Sequence, residues 1–290
     1  MDEETLGRQR QVLGPSHPYT LYSAARLARD MRETSALRES VDLLRTTYET
    51  YRTVLGDELV DTLRTAKSLA VSLRKVGAYH EAMDLTQETY DRYLKRYGPK
   101  SPEALSCALN LASDCSALGD NTRARELAIE VRTAYQSSLD DNHPYTLVAA
   151  SNLVIYLRGT GELAQAHHLA KRTLSKMRSR LGDDHPFSLS CAINLANCLG
   201  DLDDLSQAEA VERETIARLR TKLGPQHPDT LACEGNLAVT LRQAGRDEEA
   251  DQIRTRILKG FSQVLGPRHP DSTLLGSWRR IDRDLEPPPL

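Results

Sequence analysis

The turn Leu223-Gly224-Pro225, followed by His227-Pro228-Asp229-Thr230-Leu231, recurs along this chain at a spacing of 42 residues. Its first position, a leucine or once a tyrosine, falls at residues 13, 55, 97, 139, 181, 223 and 265. A repeat that keeps its register without drift is typical of a solenoid, in which each unit buries its apolar face against its neighbours. The spacing therefore predicts a repeat array, which offers a binding surface more readily than an enclosed active site.

Proline placement predicts where the helices of each repeat begin. Every proline lies either in a recurring turn or in the run 287–289, so none interrupts the stretches between turns. A first helix is expected to start at the second proline of each turn and to end near a glycine such as Gly77 or Gly161. A longer second helix then runs to the next turn, so each repeat is an αα-hairpin.

Apolar residues mark the buried face of each predicted helix. In the first helices, leucine recurs at one position and again six residues later, and these positions share an arc about 120° wide. The second helices carry an alanine at a fixed place, which close antiparallel packing requires. Those alanines are Ala82, Ala124, Ala166, Ala208 and Ala250.

The pattern predicts a single array over residues 1–290, and an all-α fold. The predicted parts are a partial unit with only a second helix at 1–12, full repeats at 13–54, 55–96, 97–138, 139–180, 181–222 and 223–264, a capping helix at 265–284 and a proline-rich tail at 285–290. The fold class is a right-handed superhelical α-solenoid of helix hairpins. The start within a half-repeat suggests a segment of a longer natural chain.

Two segments carry a family resemblance. His143-Pro144-Tyr145-Thr146-Leu147 with Asn152-Leu153, and His227 to Leu231 with Asn236-Leu237-Ala238, resemble the 42-residue tetratricopeptide repeats of the kinesin light chain type. The resemblance covers nearly the whole chain and implies tetratricopeptide-type hairpins whose concave face binds extended peptides. Such repeats also occur in bacterial, especially actinobacterial, regulatory proteins, which implies, as an alternative, a role as the sensor domain of a larger signalling protein. The family shares a surface rather than a reaction.

One position opposite the core arc holds asparagine in four consecutive repeats, Asn110, Asn152, Asn194 and Asn236, here called the Asn ladder. A carboxamide presents a donor beside an acceptor, so it can pair with the N–H and C=O of an extended peptide without reading its side chains. By resemblance to the family, we assign these residues to peptide binding. Alternatively, they bond to neighbouring helices and fix the superhelical pitch.

Basic and apolar residues flank the ladder. The cations predicted to select acidic side chains are Arg64, Lys67, Arg74, Arg158 and Arg242, and the residues predicted to accept apolar ones are Val148, Ile155 and Ile193. In a protein of net charge −3, a one-sided basic cluster favours a ligand with carboxylates. Alternatively, these cations lie on solvated helix faces and pair with carboxylates such as Asp30, Glu33 and Asp114.

The ends of the array add a second hypothesis. Outside the four central repeats the ladder position holds Arg26, Ser68 and Trp278, and the tryptophan either packs as a cap or stacks on a ligand. The acidic tail from Asp282 to Leu290 is able to enter the basic groove of its own or a neighbouring copy, so self-association is the alternative function.

Other function classes find little support in the sequence. A net charge of −3 argues against nucleic acid, and no apolar run approaches the ~18 residues that span a bilayer, so we expect a cytoplasmic protein. Phosphate-binding and nucleophile motifs are missing, so neither an enzyme nor a cofactor is expected. Histidines before the turn prolines are expected to act in the turns rather than to bind metal. Cys107, Cys191 and Cys233 are expected to fill small core positions.

Overall fold

The structure is a computed structural model that describes residues 3–287, in which fourteen α-helices and no strand occur. The helices are α1 (Glu3–Val12), α2 (Pro18–Glu33), α3 (Leu37–Leu55), α4 (Val60–Lys75), α5 (Tyr79–Tyr97), α6 (Pro102–Ala117), α7 (Asn121–Ser138), α8 (Pro144–Gly159), α9 (Leu163–Leu181), α10 (Pro186–Asp201), α11 (Leu205–Leu223), α12 (Pro228–Gln243), α13 (Asp247–Val264) and α14 (Pro270–Gly276). Residues 1–2 of the predicted partial unit and 288–290 of the predicted tail lie outside the described residues.

The chain divides into two compact units, Met1–Leu118 and Gly119–Leu290. Unit 1 contains α1 to α6, and unit 2 contains α7 to α14. The boundary lies within the repeat that begins at residue 97, so a single array over the whole chain stays a prediction.

Each unit is a stack of successive helices. Within a unit every helix packs on the next one, and the even-numbered helices also pack on one another: α2 on α4 and α4 on α6 in unit 1, and α8 on α10, α10 on α12 and α12 on α14 in unit 2. Within either unit of the described chain, no odd-numbered helix packs on another odd-numbered one. The first helix of each repeat therefore lines the inner face of its unit, and the second helix lies outside.

The turn histidines begin the helices, as the sequence predicts. In each, the imidazole Nδ1 accepts a hydrogen bond from the backbone N–H two residues later, and proline occupies the first helical position. These N-cap residues are His17, His143, His185, His227 and His269. Ser101 caps α6 through its hydroxyl oxygen, which accepts a hydrogen bond from the Ala104 N–H three residues later.

Small residues allow the close packing of the hairpins. The five alanines predicted in the second helices are all fully buried, and so are Cys107, Cys191 and Cys233. Gly77 and Gly161 follow α4 and α8 with φ of +87° and +82°, in the left-handed region that favours glycine. No helix among residues 3–287 has the length and apolar character needed to cross a membrane.

The predicted capping helix at 265–284 is wrong beyond Gly276, where α14 ends. Arg254 donates hydrogen bonds to the Leu275 and Gly276 carbonyls at 3.2 and 2.6 Å, which satisfies acceptors at the helix end. Trp278 then takes φ +56°, a conformation that turns the chain out of the helix. Residues 277–287, here called the C-terminal segment, continue without helical structure.

Candidate functional site

The three ladder asparagines of unit 2 bind the backbone of the C-terminal segment. Asn236 Oδ1 accepts from the Ile281 N–H at 2.7 Å, and its Nδ2 donates to the Ile281 carbonyl at 2.8 Å. Asn194 makes the same pair with Arg283, at 3.0 and 2.9 Å. Asn152 makes it with Leu285, at 2.8 and 2.9 Å. Each carboxamide thus holds the N–H and C=O of one residue, as a neighbouring β-strand does.

Repeat geometry explains this match. Asn152, Asn194 and Asn236 occupy equivalent positions on α8, α10 and α12, so their carboxamides project from the inner face at regular intervals. Successive ladder asparagines contact every second residue of the segment, so one repeat corresponds to two residues. An extended chain advances about 3.3 Å per residue, so this step is about 6.6 Å. The segment runs opposite to the order of the helices. We call this inner face of α8, α10 and α12 the unit 2 groove.

Asn197 adds a fourth carboxamide that the sequence analysis missed. Its Nδ2 donates to the Ile281 carbonyl at 3.0 Å and to Asp282 Oδ1 at 2.9 Å, and its Oδ1 accepts from Asn236 Nδ2 at 2.9 Å. The equivalent positions in the flanking repeats hold Ile155 and Val239. A polar residue between two repeats that hold apolar residues at this position was the signal available in the sequence, although Arg29 and Ser113 occupy the same position in earlier repeats.

Arg158 lies in the groove and pairs with an acidic side chain of the C-terminal segment. Its guanidinium forms an ion pair with Asp282 and donates to Asp201 on α10, with Nε and Nη2 2.9 and 2.7 Å from Oδ2. The Arg158 side chain is 9% exposed, so both contacts are shielded from solvent.

Arg280 anchors the start of the segment. Its Nη1 donates to Glu212 Oε1 at 3.1 Å and to Thr240 Oγ1 at 2.9 Å, and its Nη2 donates to Gln243 Oε1 at 2.7 Å. Gly200 makes room for this guanidinium, because a Cβ atom at that position would overlap it. Burial raises the pKa of the Glu212 carboxyl to about 7, while the charge of Arg280 and hydrogen bonds from Thr240 and Arg280 act in the opposite direction.

An acidic pocket receives Arg283. Its Nε lies 2.6 Å from Asp229 Oδ1, and its Nη2 lies 3.0 Å from Asp271 Oδ2 and 3.0 Å from the Pro228 carbonyl oxygen. Asp229 and Asp271 stand at the first turns of α12 and α14. The sequence predicts a basic groove, so this pocket was missed; the signal was the acidic residues that recur at this repeat position, Asp61, Glu103, Asp229 and Asp271.

Apolar contacts complete the docking. Ile281 is buried in a cluster with Leu231, Val239, Phe261 and Leu275. Leu285 is buried as well, and the half-buried side chains of residues 282, 284 and 286 alternate with the buried ones. That alternation is typical of an extended chain lying on a surface.

Trp278 packs as a cap at the end of this region. Its ring lies between two guanidinium groups, with the Cζ atoms of Arg242 and Arg254 4.2 and 4.6 Å from the ring centroid. It also contacts the core clusters around Leu237 and Phe261. Arg242 stacks on this ring, and its predicted part in selecting acidic side chains stays a prediction.

The residues predicted to accept apolar side chains of the ligand differ in outcome from the ladder asparagines. Ile193 belongs to a core cluster with Leu189, Ile216 and Leu237, so its proposed place on the ligand surface is wrong: its side chain packs between helices. Val148 and Ile155 are also buried, and their part in ligand binding stays a prediction.

In unit 1 the predicted cations contact side chains of their own unit. Lys67 Nζ donates to Ser106 Oγ at 2.8 Å, Arg74 Nη1 lies 2.7 Å from Asp114 Oδ1, and Arg64 Nη2 lies 3.2 Å from Glu103 Oε1. Arg74 pairs with Asp114, as the alternative names, but both side chains are buried and do not lie on a solvated helix face. The remaining ladder residue, Asn110, is buried, and its Nδ2 has no hydrogen-bond partner among the described residues.

Known protein families match most of the chain between residues 62 and 271. A tetratricopeptide repeat model matches residues 104–179, and a second one matches residues 62–103, 188–229 and 230–271. None of the curated proteins matches the sequence significantly.

Solved structures show the same fold. Tetratricopeptide-like repeats of a putative kinesin light chain from Podosopora anserina are 22% identical, cover 69% of this chain and 95% of theirs, and give a TM-score of 0.53. BtubC from P. vanneervenii is 17% identical over 82% of this chain and 93% of its own, with a TM-score of 0.55. NprR, solved in complex with its cognate peptide NprX, is 13% identical over 90% and 72% of the two chains, with a TM-score of 0.68.

Proposed function

Because this chain belongs to the tetratricopeptide repeat family, we propose that it is a protein–protein interaction module whose unit 2 groove binds an extended polypeptide segment. Neither matching family model describes a catalytic domain, and we propose no enzymatic activity. Affinity for a short segment is expected on the order of micromolar, because the segment must be ordered on binding.

One observation carries this proposal: three asparagines in three successive repeats pair with the N–H and C=O of alternate residues of an extended chain. Backbone pairing of this kind does not depend on side chains, so the same ladder suits a segment from another protein. The peptide complex of the similarly folded NprR supports the idea that this architecture is suited to peptides.

The test uses the full chain carrying Arg283→Glu and Leu285→Asp, here called the released chain, because the C-terminal segment occupies the groove of the unmodified protein. Arg283→Glu places a carboxylate beside the carboxylates of the acidic pocket, and Leu285→Asp places a charge at a buried position. The probe is a fluorescent synthetic peptide with the sequence of residues 277–290, and its binding is measured by fluorescence anisotropy.

Adding Asn152→Ala and Asn194→Ala to the released chain is expected to weaken probe binding about tenfold or more, because four buried hydrogen bonds are lost. Asn142→Ala is the matched control, since Asn142 is exposed and lies outside the ladder. Circular dichroism establishes that all variants remain folded. Equal affinity of the ladder variant and the control would remove the ladder from the mechanism.

Self-association is a second candidate, favoured by the fit of the chain's own segment to its own groove. The C-terminal segment of one copy would then dock in another copy. Light scattering of the full chain, with and without residues 285–290, tests this candidate. A monomer at every concentration, unchanged by the truncation, would rule it out.

A further inference from the structure

The docked segment also indicates which side chains the groove selects. Resting on the proposed function, we propose that the unit 2 groove recognises partner proteins through an extended segment with an apolar residue, an acidic residue and an arginine in succession, followed two residues after the arginine by a second apolar residue. Ile281 to Leu285 is a built-in copy of this pattern, which the partner displaces.

The ladder sets the register in which this pattern is read. Because Asn236, Asn194 and Asn152 fix residues 281, 283 and 285 by their backbones, residue 282 faces the opposite side of the extended chain. Each position of the segment therefore meets one set of groove side chains.

The arginine position is the most selective. Asp229, Asp271 and the Pro228 carbonyl offer three acceptor groups around one guanidinium, and Arg283 is 9% exposed. Two carboxylates that face one buried site need a cation between them, since without one they repel each other. A planar guanidinium with several donors in fixed directions suits this arrangement better than the single ammonium of lysine.

The preceding position requires a carboxylate. Arg158 and Asn197 Nδ2 both approach Asp282, so this position offers a cation and a neutral donor to one acceptor. Asp201 already shares the Arg158 guanidinium, which leaves a weaker demand for charge here than in the arginine pocket.

A uniformly acidic partner, expected from the sequence, fits this groove poorly. It would place a carboxylate beside Asp229 and Asp271, where like charges lie close together. The groove instead alternates an acidic and a basic pocket over neighbouring positions, and a segment with opposite charges side by side satisfies both.

Probe variants test the pattern on the released chain. Replacing the arginine that matches Arg283 by alanine is expected to weaken binding about tenfold or more, and replacing the aspartate that matches Asp282 about threefold or more. The matched control replaces the arginine that matches Arg279, which is exposed in the structure and is expected to change binding less than about twofold. A lysine at the Arg283 position is expected to fall between arginine and alanine.

Substitution of the pocket provides the second half of the test. Asp229→Asn together with Asp271→Asn in the released chain is expected to weaken the native probe about tenfold, yet to leave the affinity of the Arg283→Ala probe within about twofold. Such coupling assigns the loss to the pocket rather than to altered folding.

Three results would overturn the proposal. If the Arg283→Ala probe binds as tightly as the native probe while Asn152→Ala with Asn194→Ala still weakens binding, the ladder acts without the arginine pocket. If no probe binds the released chain, the proposed function fails as well. If the unmodified chain binds the native probe as tightly as the released chain does, the C-terminal segment is not a competitor.

Sedimentation distinguishes a partner from a second copy. The proposal expects the unmodified chain to remain monomeric over a broad concentration range. A dimer of the unmodified chain that the released chain does not form would identify the occupant as the segment of a second copy, which would overturn the assignment to a partner protein.

Discussion

Unit 1 and unit 2 differ at one repeat position and in the side-chain contacts around it. In unit 2 it holds Asn152, Asn194 and Asn236, which bind the backbone of an extended chain. In unit 1 it holds Arg26, Ser68 and Asn110, and Lys67 and Arg74 nearby pair with Ser106 and Asp114 of the same unit. The same scaffold thus builds either a network closed on itself or a surface that pairs with a peptide backbone.

The largest expected effect comes from a substitution that breaks the side-chain network within unit 1. Arg74→Ala leaves Asp114 buried without its cation, so we expect the free energy of unfolding to fall by about 3–5 kcal/mol. Urea denaturation measures this change. Arg38→Ala, at an exposed arginine of α3, is the control and should cost less than about 0.5 kcal/mol. Equal effects of the two variants would mean that the Arg74–Asp114 contact adds nothing to stability.

The next effect tests the open ladder of unit 2. Asn194→Ala removes two buried hydrogen bonds to Arg283, and we expect the local opening free energy of the C-terminal segment to fall by about 2–3 kcal/mol. Hydrogen exchange of the Arg283 amide should accelerate accordingly. Ser68→Ala, at the same repeat position in unit 1, should leave this exchange unchanged. Unaltered protection in Asn194→Ala would show that the carboxamide does not hold the segment.

Gly200→Ala is expected to have a smaller effect on the same segment. The added Cβ atom overlaps the guanidinium of Arg280, which must shift from Glu212 at a cost of about 1–3 kcal/mol. Exchange of the Ile281 amide reports the change. Gly7→Ala is the control, because a Cβ atom at Gly7 meets nothing within 4 Å. If both variants protect Ile281 equally, the Arg280 site tolerates the added methyl group.

The smallest effect is a pH dependence in unit 2. The pKa of Glu212 is about 7 in the folded protein, above the ordinary glutamate value of 4.5, so the folded state binds more protons between these values. The contribution of Glu212 to stability therefore declines as pH rises through this window. Urea denaturation from pH 5 to 8 should show this decline in the wild type but not in Glu212→Gln.

Glu130→Gln, which removes a carboxylate from an exposed position of α7, is the control for this titration. It should retain the decline of the wild type. A parallel pH profile for wild type and Glu212→Gln would mean that Glu212 does not titrate in this window.

The sequence predicts the helices well because they depend on local rules. Proline at the first helical position and histidine before it satisfy local backbone geometry, and the buried alanines follow from a strict repeat. It also predicts that Asn110, Asn152, Asn194 and Asn236 project to the inner face, since one repeat position has one orientation. In the structure Asn152, Asn194 and Asn236 contact the C-terminal segment, while binding of a partner stays a proposal.

Local rules could not predict which segment occupies the unit 2 groove, and they could not predict the acidic pocket that binds Arg283. Asp229 and Asp271 come from different repeats, and only the docked Arg283 shows that their carboxylates face one site. The prediction for the end of α14 is wrong because Trp278 stands where the repeat places a helical residue, yet it takes φ +56° and stacks with Arg242 and Arg254. Repeat patterns locate positions, whereas contacts between a repeat and a non-repeating segment depend on three-dimensional fit.

The two-residue step of the segment along successive helices makes recognition sensitive to chain length. Inserting one residue between Ile281 and Arg283 would rotate every later side chain to the opposite side of the extended chain, so the guanidinium would point away from Asp229. Inserting two residues would preserve the alternation but shift the later residues by a whole repeat. Recognition by the stacked helices therefore depends on whether the number of residues between two contact positions is odd or even, as well as on which residues those are.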